Sequence, residues 1–126
     1  MGSKPVVVYG ASGYTGRLVC EFMRQYQIPF IAAGRNGKRI QEVMNKVPGI
    51  ETADYEVAEV KNTVEDLAKL FKGAKVVCNI VGPFERFGEP VVKAALKAGA
   101  HYIDTTGEPA FLEMVKDKYS AKFAKA

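Results

Sequence analysis

Tyr9-Gly10-Ala11-Ser12-Gly13-Tyr14-Thr15-Gly16 is the stretch from which the fold can be read. Before it lies Pro5–Tyr9, whose Val6-Val7-Val8 run is apolar on both faces, as a strand must be in the middle of a parallel sheet covered by helices on both sides. After it, over Tyr14–Tyr26, Leu18, Val19, Phe22, Met23 and Tyr26 fall at the spacing of one helical stripe, with Arg17, Glu21, Arg24 and Gln25 facing water. The glycines thus occupy the strand-to-helix junction of a first βαβ unit. Gly10 permits the tight turn off the strand, Gly13 lets the backbone approach a pyrophosphate, and Gly16 lets the helix pack closely on the sheet. Unpaired amides at the helix start, reinforced by the helix dipole, then point at the phosphates, with Ser12, Tyr14 and Thr15 able to add a hydroxyl or backbone donor. Any strand-to-helix turn can hold glycines for tightness alone; their place at the first junction is what gives the pattern meaning.

Outward from that turn the same alternation repeats. Ile28–Ala33 is a short apolar run, followed by a helical stripe at Ile40, Val43, Met44 and Val47 that Pro48-Gly49 ends. A weaker third strand is expected over Thr52–Val60, around Tyr55 and Val57. Asn62-Thr63 with Asp66 forms a capping pattern ahead of Val64, Leu67, Ala68 and Phe71, and Gly73 closes that helix. Val76–Val81 reads as a buried strand; Pro90 fits a first helical turn, with Val91, Val92, Ala95 and Leu96 as the buried stripe and Gly99 as the stop. His101–Asp104 makes a fifth strand before a helix from about Pro109 to Phe123. Five strand–helix units in series predict an α/β doubly wound parallel sheet of the Rossmann type. Right-handed crossovers give the strand order 3-2-1-4-5, with a ligand crevice above strands one and four.

Composition narrows the function. The chain has 126 residues, 48% hydrophobic and 25% charged, the profile of a single soluble globular domain. No apolar run reaches the roughly 18 residues of a membrane span, and a cytoplasmic location is expected. The net charge of +4 is spread over helix faces at Lys93, Lys97, Lys116 and Lys122 without stacking aromatics, which argues against nucleic acid and mildly favours an anionic small molecule. Cys20 and Cys78 lie in buried-type segments without metal-ligand spacing, so inert thiols and no metal site are expected.

At the end of strand two, about twenty residues beyond the glycine turn, an acidic residue would grip the ribose 2′-hydroxyl of NAD. Ala33-Gly34-Arg35-Asn36 has none there; Arg35 stands in its place, suited to a 2′-phosphate through paired charge-assisted hydrogen bonds, with Lys38 and Arg39 near in sequence. NADP is therefore expected over NAD, although an exposed loop arginine is the plainer alternative. Gly82 and Pro83 at the end of strand four would turn the chain sharply beside the nicotinamide ribose, or simply end the strand. Asp104-Thr105-Thr106-Gly107-Glu108 ends strand five on the same edge, where it could face a substrate or cap the last helix; both readings stay open. His101 starts strand five at the opposite end of the sheet and reads as structural. Tyr119 and Lys122 are three apart and make no tyrosine-x-x-x-lysine pair, and no catalytic residue is identified.

Taken together, Gly10–Gly16, Ala33-Gly34-Arg35-Asn36, Asn79-Ile80-Val81-Gly82-Pro83-Phe84 and Ala98-Gly99-Ala100-His101-Tyr102-Ile103-Asp104-Thr105-Thr106-Gly107-Glu108 resemble the N-terminal NADP-binding domain of saccharopine dehydrogenase-like oxidoreductases, a group that includes trans-acting enoyl reductases. The resemblance covers nearly the whole chain. It implies cofactor contacts at Gly10, Ser12, Gly13, Tyr14, Thr15, Gly16, Arg35, Asn36, Gly82 and Pro83. It also implies that residues 1–126 are one domain truncated from a longer two-domain enzyme, whose second domain supplies most of the substrate pocket and the contacts of a possible homodimer. An oxidoreductase cofactor domain is thus expected. A non-catalytic NADP(H)-sensing module is the alternative, as is the cofactor domain of an N-acetyl-glutamyl-phosphate reductase-like enzyme, which shares the glycine motif but needs a nucleophilic cysteine in the crevice.

Overall fold

The computed structural model describes residues 4–126. Five parallel strands form one sheet in the order β3-β2-β1-β4-β5: β1 Val6–Tyr9, β2 Phe30–Gly34, β3 Tyr55–Glu59, β4 Val76–Asn79 and β5 His101–Asp104. The helices are α1 Tyr14–Gln25, α2 Gly37–Met44, α3 Val64–Phe71, α4 Phe84–Ala98 and α5 Pro109–Lys125. In register, Val8 faces Ala32 on one side and Cys78 on the other, which puts β1 at the centre, as its two-sided apolar run requires.

Each face of the sheet has its own core. Val8, Cys20, Phe30, Ala32, Ile40 and Met44 fill the space between the sheet and α1–α2. On the other face Val7, Ile31, Leu67, Phe71, Val77, Val91 and Ala95 bury against α3 and α4. A third cluster, Phe84, Val92, Phe111 and Tyr119, fastens α5 to α4. Strand and helix carboxyl ends are punctuated by Gly73 and Gly99, whose positive φ of 88° and 76° ends α3 and α4.

Several expectations need correction. Helix α4 begins at Phe84, so Pro90 lies in its interior rather than its first turn. The helix starts early because the carboxylate of Glu108 accepts the Phe84 and Glu85 amides at 2.8 and 3.0 Å, and because Phe84 packs on Phe111 with ring centres 5.6 Å apart. Phe22 and Tyr26, expected on the buried stripe of α1, are 51% and 67% exposed and stack on each other instead. The fully buried positions of α1 are Gly16, against the glycine turn, and Cys20, in the core beneath the sheet. Strand two starts at Phe30 rather than Ile28. The expected start of strand three is taken by a 3-10 turn, Ile50–Thr52. Strand four stops at Asn79, where Asn79 Oδ1 accepts the Val81 amide at 3.0 Å and turns the chain out of the sheet. Helix two ends at Met44, three residues short of Val47, which is nevertheless buried.

Gly88 is where α5 meets α4 most closely: a methyl group there would lie 2.5 Å from two ring carbons of Phe111, itself 3% exposed. Gly88→Ala is expected to destabilise the domain by about 1 to 3 kcal/mol, the usual cost of overpacking. Urea denaturation of the variant measures it directly, and an unchanged midpoint would show that the α4–α5 contact is looser than drawn.

Candidate cofactor site

The glycine turn is built by hydrogen bonds to β2. Gly10 adopts φ +97°, and the Gly10 and Ala11 amides both donate to the Ala33 carbonyl, at 2.8 and 3.2 Å. That bifurcated anchor sets the turn above the β1–β2 pair. Gly16 then lies directly beneath it: a side chain there would overlap the Gly10 carbonyl oxygen and lie 2.9 Å from Ala11 Cα. The close packing expected of Gly16 is therefore against the turn's own backbone rather than the strands. Gly13 differs. A methyl group at Gly13 would meet only Gly10 O, at 3.7 Å, so the free protein needs no glycine there and the space above it is open.

The helix starts show where an anion fits. Asn36 Oδ1 accepts the Arg39 amide at 3.1 Å and caps α2; Thr63 Oγ1 accepts the Asp66 amide at 3.2 Å and caps α3; Glu108 caps α4. Helix α1 opens after Gly13 with no side-chain cap and no acidic residue in its first turn. Its leading amides need an acceptor, and the dipole of a twelve-residue helix favours a negatively charged one. Helix α5 also lacks a side-chain cap, but it starts with Pro109, which brings no donor.

Around this turn a cleft of about 370 Å³ is lined by Tyr9, Gly10, Ser12, Gly13, Gly34, Arg35, Asn36, Arg39, Ile80, Val81 and Gly82. Of the expected site residues, Gly10, Ser12, Gly13, Arg35, Asn36 and Gly82 meet here. The others stand apart: Gly16 is buried under the turn, Tyr14 is 76% exposed, Thr15 is exposed, and Pro83 is the residue before α4. Of the two basic neighbours, Arg39 lines the cleft and Lys38 is exposed outside it. A second, larger cleft of about 740 Å³ adjoins along β3, lined by Arg35, Glu59, Val60, Lys61, Asn62, Asp66 and Leu70. Arg35 belongs to both. Its charge reaches Tyr9, where burial pushes the phenol up while the donor from Asn62 and the Arg35 guanidinium pull it back.

Sequence reasoning missed Glu59 and Asn62 as cleft residues. Glu59 sits opposite Gly34 in the β2–β3 register, and its Oε1 accepts the Gly37 amide at 3.0 Å, bringing a carboxylate beside Arg35 from a different strand. Asn62 Nδ2 donates to Tyr9 Oη at 2.9 Å, tying the β3–α3 loop to the end of β1. Only pairing register could have revealed either.

At the β4–β5 edge the polar residues engage one another. Asn79, wholly buried, donates from Nδ2 to Tyr102 Oη at 3.1 Å, and Tyr102 Oη donates to Asp104 Oδ2 at 2.7 Å. Burial and the Asp104 acceptor hold the Tyr102 phenol far above its ordinary range, so it remains a donor. Asp104 Oδ1 accepts the Thr106 amide and Thr106 Oγ1 accepts the Glu108 amide, each at 3.1 Å. Of the two readings left open for this segment, the helix cap needs correction: its carboxylates brace the loops, and Glu108 caps α4, not the last helix. His101 is exposed at the start of β5, at the opposite end of the sheet from the cleft. Cys20 and Cys78 are buried and free, with the Cys20 thiol pushed up to about 12 by burial and Cys78 raised by burial and by Asp104. Burial disfavours the thiolate form of both, and Cys78 lies within β4, outside the residues that line the cleft around the glycine turn. Among the described residues no three His, Cys, Asp or Glu side chains gather to hold a metal, and no helix is long and apolar enough to cross a membrane.

The unequal demands on the glycines give a stability test. Gly16→Ala is expected to cost about 3 kcal/mol or more, because backbone rather than a flexible side chain must give way. Gly13→Val is expected to cost about 1 kcal/mol or less, since it meets open space and changes only a helix cap. Thermal melts of the two variants compare them; equal losses would contradict the packing of α1 on the turn.

Comparison with known proteins agrees with this geometry. Residues 6–126 match the family described as the saccharopine dehydrogenase NADP binding domain. The chain is 39% identical over 128 residues to a lipid droplet localized protein of Caenorhabditis elegans, covering 95% of this chain and 30% of that one. It is 39% identical over 133 residues to a human saccharopine dehydrogenase-like oxidoreductase, covering 94% and 31%. To a putative trans-acting enoyl reductase of Mycobacterium tuberculosis it is 34% identical over 127 residues, covering 94% and 29%. Among solved structures, apo saccharopine dehydrogenase (L-Glu forming) from Saccharomyces cerevisiae superposes with a TM-score of 0.68 at 19% identity, over 89% of this chain and 24% of that one, a likeness of fold. The chain spans about 30% of the length of the curated relatives it matches. With a bare helix start above a glycine turn and an arginine where NAD enzymes carry an acid, the chain belongs to the saccharopine dehydrogenase NADP-binding domain family, and its cofactor is NADP.

Proposed function

We propose that the domain holds NADP(H) across the carboxyl ends of its strands and presents the nicotinamide for hydride transfer within a larger oxidoreductase. The observation that carries this is the uncapped start of α1 above the open space at Gly13, inside a cleft that Arg35 shares with a second, larger one. The residues suit the cofactor's parts. Amides at the α1 start would donate to the pyrophosphate oxygens, and Gly13 leaves room for them. Arg35 would bind the 2′-phosphate, and the larger cleft along β3 offers space for the adenosine half, with Val60 and Leu70 as apolar wall. Ser12 and Asn36 complete the polar lining, while Gly82 and Pro83 would shape the nicotinamide end. When bound, the nicotinamide supplies or accepts the hydride; the protein's part is to orient it and exclude water. On the nicotinamide side, the Asn79–Tyr102–Asp104 chain and the Glu108 cap would keep the Val81–Pro83 turn in one position.

Substrate binding is assigned mainly to the part of the protein outside this chain, consistent with the roughly 70% of each curated relative that the match leaves uncovered. Dimer contacts and residence in the cytoplasm belong to the same proposal. The lipid-droplet name belongs to the nematode relative.

Arg35→Ala is expected to weaken NADPH binding by about 1.5 to 3 kcal/mol, the range for hydrogen bonds to charged groups, and to weaken NADH far less. Equal losses would show that the arginine does not read the 2′-phosphate. Gly13→Val should abolish binding of both nucleotides while the fold survives. Titration calorimetry measures all four combinations, and a Gly13→Val domain that still binds would place the pyrophosphate elsewhere.

A further inference from the structure

Phe87 and Arg86, in the first turn of α4, lie outside every motif that pointed to the cofactor, yet the Phe87 ring meets Arg35, a residue of the cleft lining. The Arg35 guanidinium carbon lies 5.8 Å from the Phe87 ring centre, and that of Arg86 lies 5.4 Å from the same centre. Both distances fall within cation–π range. The two arginines reach the ring from different elements: Arg35 follows β2, whereas Arg86 and Phe87 belong to α4.

The ring is a fixed platform. It is half-buried, and the Phe87 carbonyl accepts a long 3.5 Å contact from Asn62 Nδ2, the same nitrogen that donates to Tyr9 Oη. Its helix start is fastened by the bidentate Glu108 carboxylate. The arginines are uncommitted. Among the described residues the ion pairs within 4 Å involve Lys4 and Lys118, and neither Arg35 nor Arg86 has a carboxylate partner. Two unpaired guanidinium groups on one ring repel each other, and a dianion near both relieves that repulsion while each supplies paired N–H donors. A long exposed arginine otherwise loses rotamer freedom when it grips a ligand; resting against an aromatic face beforehand reduces that loss.

We propose that Phe87 is a positioning residue that presents Arg35 and Arg86 as a two-armed clamp for the ribose 2′-phosphate, so that preference for NADP(H) over NAD(H) is set jointly by β2 and α4. The clamp rests on the cofactor reading given above and extends it to residues on the far helix. It accounts for a half-buried aromatic ring held against an arginine of the cleft lining. It also explains why Arg35 leans toward α4 rather than pairing with nearby Glu59, whose Oε1 is taken by the Gly37 amide.

The test is calorimetric titration of the chain with NADPH and with NADH, for wild type, Phe87→Leu, Phe87→Tyr, Arg86→Gln, Arg35→Gln and the double variant Arg35→Gln/Phe87→Leu. Phe87→Leu is expected to lower the NADPH-to-NADH affinity ratio about two- to fivefold, the range of an exposed cation–π contact, with NADH affinity unchanged. Phe87→Tyr should keep the wild-type ratio. Arg86→Gln should lower the ratio by about fivefold or more, as the loss of one charged arm requires. On the Arg35→Gln background, Phe87→Leu should have little further effect, because the ring then has no first arm to position. Equal loss of both nucleotides in Phe87→Leu, an unchanged ratio in Phe87→Leu or Arg86→Gln, or a full Phe87→Leu effect in the absence of Arg35 would each overturn the clamp while leaving the NADP reading intact. A wild-type domain that binds NADPH and NADH equally would overturn that reading itself, and the clamp with it.

Discussion

Backbone amides at the start of a helix must find acceptors, and along this cleft the chain supplies side chains for α2, α3 and α4 but none for α1. Everything at the candidate site follows from that omission. Donors left open beside a cavity form a weak anion site by themselves; what strengthens this one is that Gly10 and Gly16 press the helix against its own turn, so the donors cannot rearrange to satisfy each other. A phosphate then meets a surface already in place. The sheet's role is to hold the turn: both anchoring hydrogen bonds end on the Ala33 carbonyl, one residue before Gly34 and two before Arg35. The proposed phosphate cradle and the arginine proposed to discriminate are thus parts of one junction between β1 and β2.

On the other side of the cleft the polar groups are arranged in the opposite sense. From Asn79 through Tyr102, Asp104 and Thr106 to Glu108, donors and acceptors are matched among themselves, and the anion-accepting end of α4 is already filled by a carboxylate of the same chain. Such a satisfied network is rigid and excludes competing anions. Of the helix starts that follow β1 and β4, the one after β4 is capped by Glu108 and the one after β1 has no side-chain cap.

Much of this was legible in the residues. Val6-Val7-Val8 before Gly10 defined a central parallel strand, and the alternation that follows gave the strand order the sheet adopts. Arg35 stood out because a carboxylate was missing where one would bind a bare ribose. Other features were not legible, for physical reasons. Pro90 fits a first helical turn, which places the start of α4 too late; the carboxylate that caps it comes from Glu108, twenty-four residues beyond Phe84, and only the fold unites them. Phe22 and Tyr26 fit a helical stripe by spacing, but spacing cannot show that Gly16 and Cys20 would be the fully buried positions of α1. Glu59 and Asn62 reach the cleft, and Phe87 reaches Arg35, through register and tertiary packing, where no local pattern marks them.

The central claim concerns particular amides, and amide chemical shifts report on them directly. In a proton–nitrogen correlation spectrum of the chain titrated with NADP, the largest shifts should fall on Ser12, Gly13, Tyr14 and Thr15, and the amides of Phe84 and Glu85, already bonded to Glu108, should barely move. Large shifts at the α4 start with a silent glycine turn would contradict the account.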